Sequence, residues 1–256
     1  MKNTGILRIQ AFGARQSSPI EGVLVTVSGN GFTAQRITDE TGTAADLSIE
    51  APSCALSLQE DNTIRPYAVV DLTAAKTGFR TVRIQGVQIF AGQVTLAQPE
   101  MIPKTEEDRD VVNPPIVIPE HSLFTGDGGS GPDPMENCMP RVLSRVIIPK
   151  NITVHLGKPA ASARNVTVSF RDYIANVASS EVYPTWPEQA LRANIHCQIS
   201  LALNRIYTEW YPSKGYTFNI TNSTSYDQYY VHGRTVFDVM VRITDDIFNT
   251  YLRKRG

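Results

Sequence analysis

Short runs of alternating apolar and polar residues fill the first hundred positions of the chain, and turn-forming residues separate them. A period of two is typical of half-buried β-strands. The predicted strands are Ile6–Phe12, Val23–Val27, Ala44–Ile49, Tyr67–Leu72, Thr81–Val87 and Val94–Ala97. With the turns between them, these runs indicate an antiparallel β-sandwich of about seven strands.

Apolar residues recur at helical spacing in the second half of the chain. The stretch Ser169–Glu181 opens with a Ser-x-x-Asp start signal and places Phe170, Tyr173, Ile174 and Val177 on one face. The pattern therefore predicts an amphipathic helix that begins at Ser169.

Two further helices follow. The second is predicted to run from Thr185 to about Tyr211, with Thr185 as N-cap, Glu188 closing a capping box and Pro187 in the first turn, where no N–H is needed. The third is predicted from about Thr235 to Leu252.

An acidic stretch rich in proline and glycine, from about Pro99 to Pro140, separates these two halves. It offers too little apolar surface to offset the entropy of ordering it, so residues 100–140 are predicted to be a linker, with Ile116–Ile118 as a candidate edge strand. The predicted fold class is α+β: a β-sandwich over 1–99, and a helical α+β region over 141–256 that begins with a strand at Val142–Ile148.

Charge and cysteine content narrow the class of protein. A net charge of -1, with Lys and Arg spread along the chain, argues against a nucleic-acid-binding surface. No apolar stretch has the length of a signal peptide or of a membrane span, so we expect synthesis in a cytoplasm without a signal peptide and no membrane partner. Cys54, Cys138 and Cys197 form no Cys-x-x-Cys pair, and His196 beside Cys197 is expected to be a packed histidine next to a core cysteine. Neither a metal nor a cofactor is predicted.

Glu181 is an ionisable residue at a position where the first predicted helix should be apolar. Continuing the apolar stripe by one turn from Val177 reaches Glu181. Burial there would raise its pKa, and a carboxyl group that keeps its proton near neutral pH is what a general acid requires. Two alternatives are a solvated position at a frayed helix end and a structural carboxylate that pairs with a helix terminus.

The residues after Glu181 resemble the stage II sporulation protein D family, in which a Glu is followed by a short loop, Trp-Pro and a second helix. The matching segments are Ser180–Glu188, Asn204–Tyr211, Tyr226–Gln228 and His232–Arg234. Over nearly its whole length the chain resembles the N-terminal part of the clostridial spore cortex-lytic enzymes of the SleC type. In the first hundred residues, Thr38–Gly42 (Thr-Asp-x-x-Gly) is similar to a motif of transthyretin-like and carboxypeptidase-regulatory sandwiches.

The resemblance implies degradation of spore cortex peptidoglycan during germination. In the sporulation family the Glu that matches Glu181 is the catalytic residue of a lytic transglycosylase, which cleaves the bond between muramic acid and glucosamine. The 6-hydroxyl of muramic acid attacks its own anomeric carbon, so one carboxyl can serve as acid and then as base. The resemblance also implies a zymogen made in the mother cell cytoplasm, located in the cortex or coat region of the spore, and activated by a subtilisin-like germination protease.

Five further residues are candidates for glycan binding. Asp227 and Gln228 offer planar hydrogen-bonding groups, and Tyr230 and Trp186 offer flat faces for sugar rings. Arg205 matches an Arg of the family's second helix, where it could neutralise a muramyl carboxylate or hold Glu181. The alternative is a purely structural set, in which Asp-Gln forms a turn, the aromatic rings pack on the helices and Arg205 lies at the surface.

Two other functions remain open from the sequence. One is a non-catalytic module or scaffold that binds spore peptidoglycan, and the other is a sugar-binding domain of a cell-surface protein. Members of the sporulation family continue past the third helix into strands that complete the catalytic domain. The expectation is therefore that residues 141–256 hold only the first half of such a domain.

Overall fold

The computed structural model describes residues 3–13, 18–59, 62–105, 113–125 and 143–252. The fold is α+β, and the chain divides into two compact units. Unit 1 comprises Met1–Glu120 and Gly233–Val239, and unit 2 comprises His121–His232 and Met240–Gly256. The two units thus alternate along the chain, and the Gly233–Val239 segment of unit 1 stands between the two segments of unit 2.

The elements are numbered in chain order. The strands are β1 (Thr4–Gln10), β2 (Leu24–Gly29), β3 (Phe32–Ile37), β4 (Thr43–Glu50), β5 (Ala68–Ala75), β6 (Val82–Ile89), β7 (Val94–Ala97), β8 (Ile116–Val117), β9 (Asn151–His155), β10 (Asn165–Ser169), β11 (Ile220–Thr221) and β12 (Val236–Phe237). The helices are α1 (Ser122–Thr125), α2 (Phe170–Glu181), α3 (Glu188–Tyr207) and α4 (Asp238–Ile247).

Unit 1 is a β-sandwich of two sheets, with strand orders β12-β7-β1-β4 and β3-β2-β5-β6-β8. Its core takes alternate residues from both sheets, among them Leu7 and Leu47 from one and Val25, Leu72 and Ile84 from the other. The sheets are mixed, because β1 pairs with β7 and β6 pairs with β8 in parallel. The prediction of a purely antiparallel sandwich is therefore wrong in these two pairs.

The end of unit 1 differs from the predicted boundary at residue 99. Met101 and Ile118 are buried in the core of unit 1, and β8 forms the predicted edge strand beside β6. Gly86 makes room for this segment: it has φ +81°, and a Cβ there would lie 2.3 Å from the carbonyl oxygen of Ile118. The rest of the predicted linker, 106–112 and 126–140, lies outside the described residues.

The strand β12 adds a distant segment to unit 1. Val236 and Phe237 pair antiparallel with β7, and the Phe237 ring meets that of Phe90 edge to face with centroids 5.3 Å apart. The third predicted helix, from Thr235, is therefore too long at its start, since α4 begins only at Asp238. Strand pairing overrides the helical spacing of these two residues.

Unit 2 contains a three-stranded sheet of order β10-β9-β11 together with α2 and α3. The strand predicted at Val142–Ile148 is not formed in its described part, 143–148, and β9 begins at Asn151 instead. Pro149 has no backbone N–H to donate to a neighbouring strand. Ile147 is about half exposed, so the apolar run buries too little side-chain surface to favour a strand.

The helix α2 begins as predicted. The Ser169 hydroxyl caps it by accepting a hydrogen bond from the Asp172 backbone N–H at 3.1 Å, and Phe170, Tyr173 and Val177 lie on its buried side. This cap also turns the chain from β10 directly into the helix.

The N-cap predicted at Thr185 is wrong. Helix α3 begins at Glu188, and its N-cap is Pro187, whose side chain makes no capping hydrogen bond. The Glu188 carboxylate instead accepts hydrogen bonds from Arg192 at 3.0 Å and Arg242 at 3.3 Å. Glu188 at the start of α3 is thus paired with one arginine of its own helix and one of α4.

Candidate glutamate site on the second helix pair

Glu181 is the last residue of α2, and both of its carboxylate oxygens accept hydrogen bonds. The side-chain amide of Gln198, on α3, donates to Oε2 at 2.7 Å. The backbone N–H of Tyr229 donates to Oε1 at 2.9 Å. Glu181 therefore lies where α2, α3 and the segment around residue 229 meet.

Burial raises the pKa of Glu181 above its ordinary value of 4.5, and the hydrogen bonds from Tyr229 and Gln198 oppose that shift. The Oε1 atom of Gln198 is buried and has no hydrogen-bond partner among the described residues. Turning this amide by half a rotation would present Oε1 to a protonated Glu181. The pair can thus serve both states of the carboxyl group, with the amide nitrogen facing the carboxylate and the amide oxygen facing the acid.

The same face of α2 binds the segment 228–231 at two further points. The Tyr173 hydroxyl donates to Gln228 Oε1 at 3.0 Å. The Asn176 amide donates to the Val231 carbonyl at 2.8 Å and accepts from the Val231 N–H at 3.0 Å. Glu181 is therefore one of three α2 side chains that position this segment, as well as an ionisable group with a raised pKa.

Asp227 is a buried, fully bonded carboxylate. Its side chain is 0% exposed, and Arg205 Nε donates to Oδ1 at 2.7 Å. Oδ2 accepts from the Tyr211 hydroxyl at 2.6 Å, and from the backbone N–H and hydroxyl of Thr221 at 2.9 and 2.7 Å. Because the side chain is fully buried and already accepts from four donors, the predicted role of Asp227 in direct glycan binding does not fit the geometry.

Arg205 and Asp227 lie behind the wall of a cleft of about 420 Å³. Tyr211, which donates to Asp227, and Tyr226, whose carbonyl accepts from Arg205 at 2.9 Å, both line this cleft. Burial and the nearby Asp227 raise the pKa of the Tyr211 hydroxyl, so it remains a donor. The ion pair therefore positions aromatic side chains that can meet a ligand.

The other predicted binding residues are placed as follows. Gln228 is 4% exposed and donates to the Gln198 carbonyl at 3.1 Å, so it shares Gln198 with Glu181. Tyr230 is 3% exposed and stacks on Tyr173 with ring centroids 5.5 Å apart. Trp186 is half-buried, with its ring edge to face against Tyr183. Gln228 and Tyr230 are thus packed residues, and Trp186 is the one with a partly accessible ring.

Sequence reasoning missed Gln198 and Asn176. Each is a polar residue inside an otherwise buried helix face, Gln198 between Ile195 and Ile199 and Asn176 between Tyr173 and Val177. This is the same signal that singled out Glu181, and it applies equally to both amides.

The prediction of a core cysteine at position 197 is wrong: Cys197 is exposed and His196 is half-buried. Cys54 is also exposed, and Cys138 lies outside the described residues.

Among the residues that the structure describes, no three His, Cys, Asp or Glu side chains are grouped to hold a metal ion. No helix in this part of the chain is long and apolar enough to cross a membrane.

Comparisons with known proteins assign no family. No protein-family model and no curated protein matches the chain. Among solved structures, the chain is similar to the Bacillus anthracis TIE protein (13% identity over 40% of this chain and 17% of that one, TM-score 0.29). It is similar to Klebsiella pneumoniae 5-hydroxyisourate hydrolase, with 22% identity over 39% of this chain and 92% of that one and a TM-score of 0.27. It is also similar to catechol 1,2-dioxygenase from Acinetobacter sp., with 14% identity over 46% of this chain and 59% of that one and a TM-score of 0.28. At these TM-scores the likenesses assign neither an activity nor a ligand.

Proposed function

We propose that unit 2 acts on peptidoglycan as a lytic transglycosylase with Glu181 as its general acid and base. The observation that carries the proposal is the environment of Glu181: a carboxyl group at the end of a helix whose pKa is raised by burial, inside the segment Ser180–Glu188 that resembles the sporulation protein D motif. Raised carboxyl pKa values are typical of general acids.

The reaction needs one carboxyl group. Protonated Glu181 would donate its proton to the glycosidic oxygen while the bond from that oxygen to the muramic C1 breaks. The resulting carboxylate would then accept the proton of the muramic 6-hydroxyl as its oxygen bonds to C1, which yields a 1,6-anhydro sugar and restores the acid. Gln198 can support both states through its amide nitrogen and its amide oxygen.

The proposal also covers the fold families of the two units, the substrate and the activation of the protein. Unit 2 would be a sporulation protein D-like domain, and unit 1 a transthyretin-like or carboxypeptidase-regulatory-like pro-region. The substrate would be spore cortex peptidoglycan, and a subtilisin-like germination protease would activate the zymogen. The acidic, proline-rich composition of residues 100–140 is the sequence feature that supports such cleavage.

A second candidate function is a non-catalytic peptidoglycan-binding or scaffold module. The observation that favours it is the full use of the Glu181 oxygens by Tyr229 and Gln198. A carboxylate bonded to two protein donors can be structural, and then unit 2 would bind glycan without cleaving it.

The test compares the wild-type gene product with Glu181→Gln and Glu188→Gln on spore cortex and on amidase-treated glycan. Mass spectrometry follows the release of anhydro-muropeptides. We expect Glu181→Gln to release them at least about a hundredfold more slowly than the wild type. Glu188, an exposed carboxylate in the same unit, is the matched control and should leave the rate unchanged.

Full activity of Glu181→Gln would eliminate the catalytic assignment. Wild-type protein that sediments with cortex but releases no anhydro product would favour the binding module.

A further inference from the structure

A second cleft in unit 2, of about 320 Å³, lies beside the ends of β9 and β10. Its lining includes His155, Asn165, Tyr216, Thr217 and Phe218, and the rest comes from small residues of 159–163 and from Gly215. Neither Glu181 nor its hydrogen-bond partners lines it.

His155 brings a buried acceptor to this cleft. It is 5% exposed, and its ring stacks on Phe218 with centroids 4.6 Å apart. The Asn165 amide donates to the Thr217 hydroxyl at 3.1 Å, which directs Asn165 Oδ1 towards His155 Nδ1 at 2.8 Å. In the neutral ring Nδ1 therefore carries the hydrogen, and Nε2 is left as an acceptor. Nε2 is buried and has no hydrogen-bond partner among the described residues.

Gly157 shows where Nε2 points. A Cβ at Gly157 would lie 3.7 Å from His155 Nε2, 3.0 Å from the Cβ of Ala163 and 3.3 Å from the Cβ of Ala161. Both alanines line the cleft. Nε2 thus lies next to Gly157, Ala161 and Ala163, three small residues at the wall of the cleft.

This cleft adjoins the one near Asp227. The two share Pro159, Ala160, Ala161 and Tyr216, and the larger one adds Lys158 and Lys214 beside Tyr211 and Tyr226. Lys158 is exposed, and Lys214 lies over the Trp210 ring with its Nζ 4.2 Å from the centroid. The lining of both clefts includes no Asp or Glu among the described residues, so its charge is positive.

We propose that the two joined clefts bind an acidic sugar. The aromatic rings of Tyr216 and Tyr226 offer faces for a pyranose ring, and Lys158 and Lys214 offer cations for its carboxylate. A sugar hydroxyl or amide N–H supplies the donor that His155 Nε2 lacks, which a fully deprotonated anion such as sulfate cannot do. Each volume is at the lower end of the roughly 300–1,000 Å³ usual for small-ligand sites, which suits one or two sugar rings.

The choice of N-acetylmuramic acid as probe rests on the proposed function, whereas the site itself does not depend on Glu181. Calorimetric titration should show N-acetylmuramic acid binding at least about tenfold more tightly than neutral N-acetylglucosamine, with an affinity that falls as salt is added. Lys158→Gln and Lys214→Gln should each weaken the acid about threefold or more and leave the neutral sugar unchanged. Lys150→Gln, an exposed lysine of the same unit outside both clefts, is the matched control.

Two further variants test the buried acceptor. His155→Phe keeps a ring for Phe218 but removes Nε2, and Gly157→Ala places a methyl group 3.7 Å from Nε2 while both lysines are kept. Both should weaken N-acetylmuramic acid and N-acetylglucosamine alike, and thermal midpoints identify a variant that has lost its fold. If His155→Phe unfolds, Gly157→Ala and the lysine variants still decide the question.

Equal affinity for the two sugars, no binding of either, or tighter binding of adenosine monophosphate would each overturn the proposal. Glu181→Gln separates the two proposals, because it should slow cleavage at least about a hundredfold and bind N-acetylmuramic acid like the wild type. A protein that cleaves glycan but fails the titration retains the proposed function without this site.

Discussion

The backbone N–H of Tyr229 donates to Glu181 Oε1 at 2.9 Å, which connects the end of α2 to a segment 48 residues further along the chain. The proposed catalytic carboxyl group is therefore held by the main chain of the segment that follows Asp227. Any change that shifts this segment also shifts the orientation and the pKa of Glu181.

Glu181 should make the stability of unit 2 depend on pH. Its pKa in the folded state is raised by burial, so the folded state keeps the proton to a higher pH than the unfolded state, whose pKa is near 4.5. The free energy of unfolding should therefore fall as pH rises from 4.5 through the folded pKa, and then level off. In Glu181→Gln this loss should be absent, and Gln198 Oε1 can accept a hydrogen bond from the new amide.

The measurement is the thermal midpoint of wild type and Glu181→Gln between about pH 4 and 8. The advantage of the variant should grow through that window. Parallel curves for the two proteins would show that Glu181 does not change its pKa on folding.

Asp227→Asn should destabilise unit 2 by about 3 kcal/mol or more, because it leaves the Arg205 guanidinium without its buried counter-ion. Chemical denaturation gives the free energy of unfolding. The matched control is Asp245→Asn, since Asp245 pairs with Arg171 at the surface, where about half of each side chain is exposed. That pair should contribute about 0–1 kcal/mol, and equal losses in the two variants would contradict a buried role for Asp227.

Ser169→Ala should cost about 1 kcal/mol, because it removes the oxygen that caps α2. Ser169→Asp keeps an acceptor at the same position and should stay close to the wild type in thermal denaturation. Indistinguishable midpoints for wild type and Ser169→Ala would mean that the cap contributes nothing to stability.

Gly86→Ala should displace the strand β8, whereas Gly78→Ala should not. The two glycines have nearly the same φ, +81° and +82°, so the intrinsic cost of a left-handed alanine, about 1 kcal/mol, is common to both. A Cβ at Gly86 would overlap the carbonyl oxygen of Ile118, whereas one at Gly78 would meet nothing within 4 Å.

Limited proteolysis reports the difference between these variants. Cleavage near 113–120 should be faster in Gly86→Ala only. The same rate in both variants would show that Ile118 moves aside without losing its place in the core.

Cleavage of the sequence-predicted linker should leave two fragments that stay associated. The acidic, glycine-rich stretch before Pro140 is the expected site of attack. The C-terminal fragment would still carry β12, which pairs with β7, and Phe237, which packs on Phe90. Gel filtration should show co-elution in native buffer and separation in denaturant, and separation in native buffer would show that β12 binds weakly.

Local signals in the sequence predicted part of this structure well. Ser169 and the apolar residues behind it sufficed for α2, because a cap and a periodic face lie within a few residues of each other. The Thr185 to Glu188 spacing carried the same kind of signal but failed. There Glu188 pairs with Arg242, which comes from another helix and cannot be foreseen from local spacing.

The burial of Asp227 could not be predicted from the sequence, because it depends on contacts between residues that are far apart along the chain. Asp227 becomes internal because Arg205, Tyr211 and Thr221 converge on it from three different positions in the chain. No spacing rule brings together residues at such unrelated separations. For the same reason Asp227 looked like a sugar ligand, although its oxygens are bonded within the protein.

The return of β12 to the first sheet sets an order of events during synthesis. While the ribosome translates unit 2, the strand β7 of the nascent chain has an open edge, because its neighbour Val236–Phe237 has not yet emerged. Unpaired edges of this kind invite pairing with other chains. We therefore expect the first sheet to stay incomplete until Val236 and Phe237 have been translated, and a ribosome that stalls before codon 236 to expose its open edge.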